Sequence, residues 1–356
     1  MSRTHGVSHA HPGALLAVFL CSQACESEVG PPEEVFEEGE IVVDASSPIN
    51  FVYLNLADGG SLVSPSDPGA STDWHMAFRR YTVRLNGGVA GPGAVAGFNT
   101  GNNAHLSAEE VTALTAADGE AAFAAVTDAD IPAASSFAED LLVPDDGSTW
   151  FRFDPRVGNI VANPGAAWKV REGSGRGHAV FRVVDLRMDG RRPLGLTIEY
   201  RRHDPGGTLG SADTAVISFA RGPVYLELAE GDQLQTGDGC GWDLSASPEL
   251  VIEVNASCQT GTFPLDATDD FTALERADDA PEYAGFLSAI AGAFPVTTGD
   301  AAGVFWYDIQ ENSRMWPTYN VFLVRDGDEV YKVQIFDYYN ATGQSGFPSV
   351  RFQRLR

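Results

Sequence analysis

Lysine is almost missing from this 356-residue chain: Lys169 and Lys332 are the only two, and with arginine they make 23 basic residues against 49 acidic ones. The resulting formal charge of -26 repels phosphate backbones and anionic lipid, so nucleic-acid binding is disfavoured. No GxSxG elbow, HExxH pair, phosphate-binding glycine loop or dinucleotide fingerprint occurs, so the common signatures of hydrolases, zinc proteases and nucleotide enzymes are absent. Long apolar runs are lacking too, the longest, from Gly13 to Cys21, being too short to span a bilayer as a helix. Cysteine occurs four times and methionine four times.

What the chain does have is apolar content of 44%, enough for a large core. Its start, "MSRTHGVSHAHPGALLAVFLCSQAC", combines a weakly basic end, a short apolar core and small residues before Cys25, the order of a signal peptide. Residues 1–25 resemble a bacterial lipoprotein signal with Cys25 as the acylated residue; cleavage near Ala24 without acylation is the alternative. The acidic, proline-containing "ESEVGPPEEVFEEGE" that follows reads as a solvated tether over 26–41. Export places the other two cysteines in an oxidising compartment, where Cys240 and Cys258 are expected to pair with each other, a bridge worth about 3 kcal/mol.

The remainder repeats itself with a period near 150 residues. "DWHMAF" at Asp73 is answered by "GWDLSA" at Gly241, making Trp74 and Trp242 equivalent anchors. The closing segments "WKVREGSGRGHAVFRVVDLRMDGRRPLGLTIEYRRH" and "NVFLVRDGDEVYKVQIFDYYNATGQSGFPSVRFQRL" also correspond. Period-two alternation and glycine-containing turns argue for antiparallel sheet; in "VYKVQIFDYY", Val330, Lys332, Gln334 and Phe336 share one face and Tyr331, Val333, Ile335 and Asp337 the other. Helices are expected only mid-half, from Ser107 and from Ala280, the second on the stripe Tyr283, Phe286, Leu287, Ile290. The fold class is therefore mainly β: two tandem antiparallel domains of related sequence, 42–205 and 210–356, each with one or two short helices in a middle insertion.

"DWHMAFRRYTVRLNGGVAGPGAVAGF" and the closing "YNVFLVRDGDEVYKVQIFDYYNATGQSGFPSVRFQRL" closely resemble the HmuY-like haem-binding lipoproteins. The resemblance implies an exported, non-catalytic outer-membrane or cell-surface lipoprotein that captures haem between projecting loops and passes it to an outer-membrane receptor, touching the membrane only through its lipid. In the founding members His or Met side chains hold the iron from both faces, one from the segment before the penultimate strands. Here the matching segments "WFRFDPRVGNIVANPGAAW" and "VFWYDIQENSRMWPTY" hold no histidine, only Met315. His105 offers a donor from the middle of the first half, and His178 and His203, read as surface residues, complete the candidate set. His75 beside Trp74 reads as structural. "DATDD" at 266–270 could hold Ca²⁺ through oxygen ligands but reads as a solvated turn. A second class of function open to this sequence is a surface interaction lipoprotein that contacts a protein or glycan without a cofactor, and a third is a hydrolase, which would need two carboxylates or a Ser and a His to meet in one cleft.

Overall fold

The computed structural model describes residues 38–145, 149–203, 207–266, 269–308 and 313–356. Cys25 and most of the expected tether lie outside them. From the N-terminal side the strands are β1 (Glu38–Val42), β2 (Val52–Asn55), β3 (Ser61–Val63), β4 (Met76–Arg79), β5 (Thr82–Leu85) and β6 (Ala96–Asn99), followed by helices α1 (Ala108–Ala113) and α2 (Ala116–Ala125). Next come β7 (Leu141–Pro144), β8 (Phe151–Asp154), β9 (Asn159–Ala162), β10 (Ala167–Arg171), β11 (His178–Asp189), β12 (Arg192–Arg202) and β13 (Asp213–Ser218). The chain continues through β14 (Val224–Leu226), β15 (Gln233–Leu234), β16 (Leu244–Ala246), β17 (Ile252–Val254), β18 (Gly261–Pro264) and β19 (Ser288–Ala291). It ends with β20 (Val296–Thr297), β21 (Phe305–Asp308), β22 (Arg314–Pro317), β23 (Val321–Asp326), β24 (Glu329–Tyr339) and β25 (Ser345–Arg354). The molecule is mainly β, with nearly all pairing antiparallel, as the alternation requires. No helix of the described residues is long and apolar enough to cross a membrane.

Two five-stranded sheets dominate, in the orders β1-β25-β24-β23-β6 and β13-β12-β11-β10-β18. Neither respects the boundary expected between 205 and 210. β12 pairs with β13 across that boundary, β18 of the second half joins β10 of the first, and β6 of the first half joins β23 of the second. Each hydrophobic core therefore mixes the halves. In the inner one, Trp168, Phe181, Val183 and Ile198 pack with Leu226, Leu228, Leu244 and Val254. In the outer one, Leu54, Met76, Phe78 and Leu85 pack with Phe322, Val324, Val333 and Val350. The cause is that both halves carry the same in-out alternation, so the Trp-led strands of one fit the closing strands of the other, while β12 runs on into its sequence neighbour β13. Ion pairs join the two parts: Asp266 pairs with Arg84 at 2.6 Å and Arg79 at 3.7 Å, and both guanidinium groups lie over Phe51.

Residues 38–41, expected as tether, are strand instead, because β1 finds the free edge of β25 with Ile41 opposite Val350. The first helical expectation holds. Ser107 and Glu110 form a capping box on α1, as Thr115 and Asp118 do on α2. The second does not: 280–287 is irregular and Ser288–Ala291 is strand β19 paired to β7. Gly285 and Gly292 disfavour a helix there, and the Ala284–Thr262 bridge holds the segment extended.

Helix α2 covers the face of β24 that carries Val330, Lys332 and Gln334. The buried Lys332 Nζ donates to the carbonyls of Phe123 and Val126 at 3.0 Å at the helix C-terminus, the first of which also accepts from Val126 N–H, while Gln334 Nε2 donates to Gly119 and Tyr319 carbonyls. Lys332→Met keeps the stem, removes both donations and leaves the Val126 carbonyl without its donor. It is expected to lower stability by about 1–3 kcal/mol, read as a shift of the urea midpoint at unchanged slope.

Candidate functional site

The two Trp-led motifs are built alike. Trp74 Nε1 donates to the Pro68 carbonyl and Trp242 Nε1 to that of Gly237; Tyr53 and Tyr225 each meet the indole edge-on at 5.1 Å. Asn86 and Asn255 donate to the carbonyls of Trp74 and Trp242. His75 and Asp243 hold the same place. His75 Nδ1 accepts from Leu56 N–H at 3.0 Å, and Asp243 Oδ2 from Leu228 N–H at 2.9 Å. His75 is buried against Tyr331 with Nε2 3.4 Å from Asp326, and burial pushes its pKa down. Trp74, His75, Met76, Ala77 and Phe78 are all buried, so both faces of this stretch are scaffold and neither is a ligand surface.

Of the four donor candidates, His178 and His203 come together while His105 and Met315 stand apart. His105 is exposed in the turn before α1. Met315 is core, packed on β22, with its N–H donating to the Tyr339 hydroxyl. His178 and His203 are brought together as cross-strand neighbours on β11 and the end of β12, ring centroids 6.0 Å apart and inclined at 54°, in a row with Arg171 on β10. His203 is not a plain surface residue: its Nε2 accepts from Ala277 N–H at 2.8 Å, with Asp278 3.9 Å away. Tyr283 covers His178 at 5.4 Å, and burial lowers the His178 pKa. Both rings are thus engaged by the chain itself, His178 by Tyr283 and His203 by Ala277. Among the described residues no group of three or more His, Cys, Asp or Glu side chains could hold a metal ion. Cys240 and Cys258 form the expected disulfide.

A ligand-sized cleft lies elsewhere, between the β8–β9 hairpin and the β11–β12 turn. It measures about 460 Å³, within the range of small-molecule sites, and is lined by Phe153, Val157, Ile160, Met188 and Arg191. Asn159 Nδ2 donates to the Gly190 carbonyl at 2.7 Å and ties the two turns together. Gly158, with φ at +64°, lets the hairpin turn tightly enough to project Val157. Phe153 and Val157 are 62% and 63% exposed, an apolar lip that nothing in the chain covers among the described residues. No carboxylate lies within ion-pair distance of Arg191 among those residues. The arrangement suits a flat apolar ligand that carries an anionic group, and Met188 adds a thioether, a soft donor. The hairpin is "WFRFDPRVGNIV", the segment to which the family resemblance assigns an iron donor. Sequence reading missed Met188 and Arg191 because they stand some thirty residues further on; the one available signal was an exposed valine at the tip of "DPRVGN".

The sequence pattern of the HmuY protein family matches residues 47–352. The chain belongs to the HmuY family. Solved structures similar to this HmuY-family chain include an apo HmuY analogue from Tannerella forsythia, 11% identical over 90% of this chain and 98% of its own, with a TM-score of 0.32. A second, described as a HmuY-like haem-binding protein of Bacteroides vulgatus, is 10% identical over 89% of this chain and 91% of its own, also at 0.32. A third, described as a lipoprotein of Bacteroides fragilis, is 11% identical over 90% of this chain and 92% of its own, again at 0.32. No curated protein matches the chain.

Proposed function

We propose that this HmuY-family protein is an exported, non-catalytic binding protein whose ligand is haem, held in the cleft between the β8–β9 hairpin and the β11–β12 turn. The observation that carries the reading is the convergence there of an apolar lip, an unpaired guanidinium and a thioether on one ligand-sized space. Phe153, Val157 and Ile160 would cover the macrocycle, Arg191 would take a propionate by charge-assisted hydrogen bonds, and Met188 would face the iron. The cleft lining supplies a single soft donor, so binding rests on the macrocycle and its carboxylates more than on the metal. Acylation at Cys25 would anchor the protein at the outer membrane, and a projecting hairpin would let a membrane receptor reach the ligand.

A cofactor-free interaction role has one observation in its favour: Trp306 and Trp316 sit directly opposite on β21 and β22, with Arg314 stacked 3.9 Å over Trp316. A haem titration of the full chain followed at the Soret band separates the two readings. Val157→Asp and Arg191→Glu are expected to weaken binding about tenfold or more. Met188→Leu should move the band with affinity nearly kept, and His105→Ala, His178→Ala, His203→Ala and Met315→Leu should bind like the parent. Loss of binding in the histidine variants with the cleft variants unchanged would overturn the assignment.

A further inference from the structure

We propose a second ligand site, on the other side of the same β11–β12 hairpin, that binds a small organic carboxylate with an apolar tail. Arg187, Gly195 and Ser218 form one row across β11, β12 and β13. The middle position has no side chain, and a Cβ on Gly195 would collide with both the Arg187 guanidinium and the Ile217 carbonyl. That gap lets Arg187 lie across β12, where its Nη2 donates to Ile217 O, and it leaves a hollow of about 350 Å³. The walls are Arg187 and Arg192 on one side, Ser218 and Phe219 on the other, with Pro193 and Leu194 at the rim.

Three features give the chemistry. First, Arg187 Nε is buried and has no hydrogen-bond partner among the described residues, although a buried donor left unmade is costly. Secondly, neither Arg187 nor Arg192 has a carboxylate at ion-pair distance among the described residues, in a chain with 49 acidic residues to choose from. The unmet Arg187 Nε and the Arg192 guanidinium are thus placed to take an anion. Thirdly, the rim is apolar: Leu194 is 43% exposed and Phe219 belongs to the inner core. Ser218 Oγ accepts from Ala220 N–H and so keeps its own proton to donate inward. A planar carboxylate matches the guanidinium edge, and a hydrocarbon tail would rest on Leu194 and Phe219. A bare phosphate would satisfy the charges and leave the rim unused.

Calorimetric titration of the full chain with sodium octanoate, and separately with inorganic phosphate, tests this. Octanoate is expected to saturate one site with a dissociation constant of roughly 0.1–1 mM, and phosphate to bind about tenfold more weakly or not at all. Arg192→Gln and Leu194→Asp, both at exposed or rim positions, should each cost about tenfold for octanoate with an unchanged melting temperature. Arg191→Glu, which disables the haem cleft, should leave octanoate binding intact. The proposal fails if octanoate gives no saturable heat, if phosphate binds equally well, or if Arg191→Glu abolishes octanoate binding and Arg192→Gln does not.

Discussion

Replacing Arg202 by alanine is expected to lower stability by about 3–5 kcal/mol, the cost of leaving a buried charge without its partner. Glu172 has no exposed surface, and its two oxygens accept from Arg202 Nε and Nη2, each at 2.6 Å. The Glu172 side-chain hydrogen bond is also the main cause that raises the Arg202 pKa. Arg202 further donates to the Ala229 carbonyl and so ties the end of β12 to the strands of the second half. Glu172 follows β10 in the turn that also meets Asp243, whose Oδ1 accepts from Gly173 N–H at 2.9 Å and Arg176 at 2.5 Å. The variant Arg202→Ala therefore strips the inner core of the charge network that fixes its Trp-led sheet. Guanidinium unfolding should show the loss; Arg202→Lys, which keeps charge without the fork, should recover only part of it. A loss below about 1 kcal/mol would mean that solvent replaces the guanidinium freely.

Asp140 is expected to act in the opposite sense. It is buried just before β7, with Oδ2 accepting from Leu85 N–H at 3.1 Å and Oδ1 lacking any partner among the described residues, hard against Gly292. Burial, the dominant cause, pushes its pKa up to about 7. The folded pKa lies above the unfolded one, so between roughly pH 4 and 7 the folded state holds the extra proton and stability falls as pH rises through that window. Above it the full penalty of the charged carboxylate remains, at most about 4 kcal/mol for a shift of this size. Asp140→Asn keeps an acceptor for Leu85 and removes the charge. Its melting temperature should exceed the parent's at pH 8, and the advantage should vanish by about pH 4. An advantage that is the same at both pH values would mean that the carboxyl is not titrating in this window.

How much of this was legible in the sequence depends on whether the signal was local. The Trp74 and Trp242 motifs, the capping box at Ser107 and the two faces of β24 were readable because neighbours in sequence decide them. The exchange of strands between halves was not, since both halves carry the same alternation and either pairing buries the same pattern. The stripe Tyr283, Phe286, Leu287, Ile290 suggests a helix, yet Tyr283 is held by the Ala277 carbonyl and Leu287 serves the inner core from an irregular segment. Among the ligand candidates, residue type alone points to side chains that the fold uses elsewhere, His203 as an acceptor for Ala277 and Met315 in the outer core, whereas His75, read as structural, does accept from Leu56. Met188 and Arg191 gain meaning only when their turn meets the "DPRVGN" hairpin, a pairing that depends on the tertiary fold.

In the haem site proposed here, ligand binding rests on the macrocycle and its carboxylates, through the cleft at the β8–β9 hairpin, with at most one side chain at the iron. Titrating the full chain with haem and with iron-free protoporphyrin IX, each followed by quenching of tryptophan fluorescence, tests it most directly. Saturable binding of both is expected, with affinities within about tenfold of each other and both weakened by Arg191→Glu. Binding of haem alone would show that the iron carries the affinity and would contradict it.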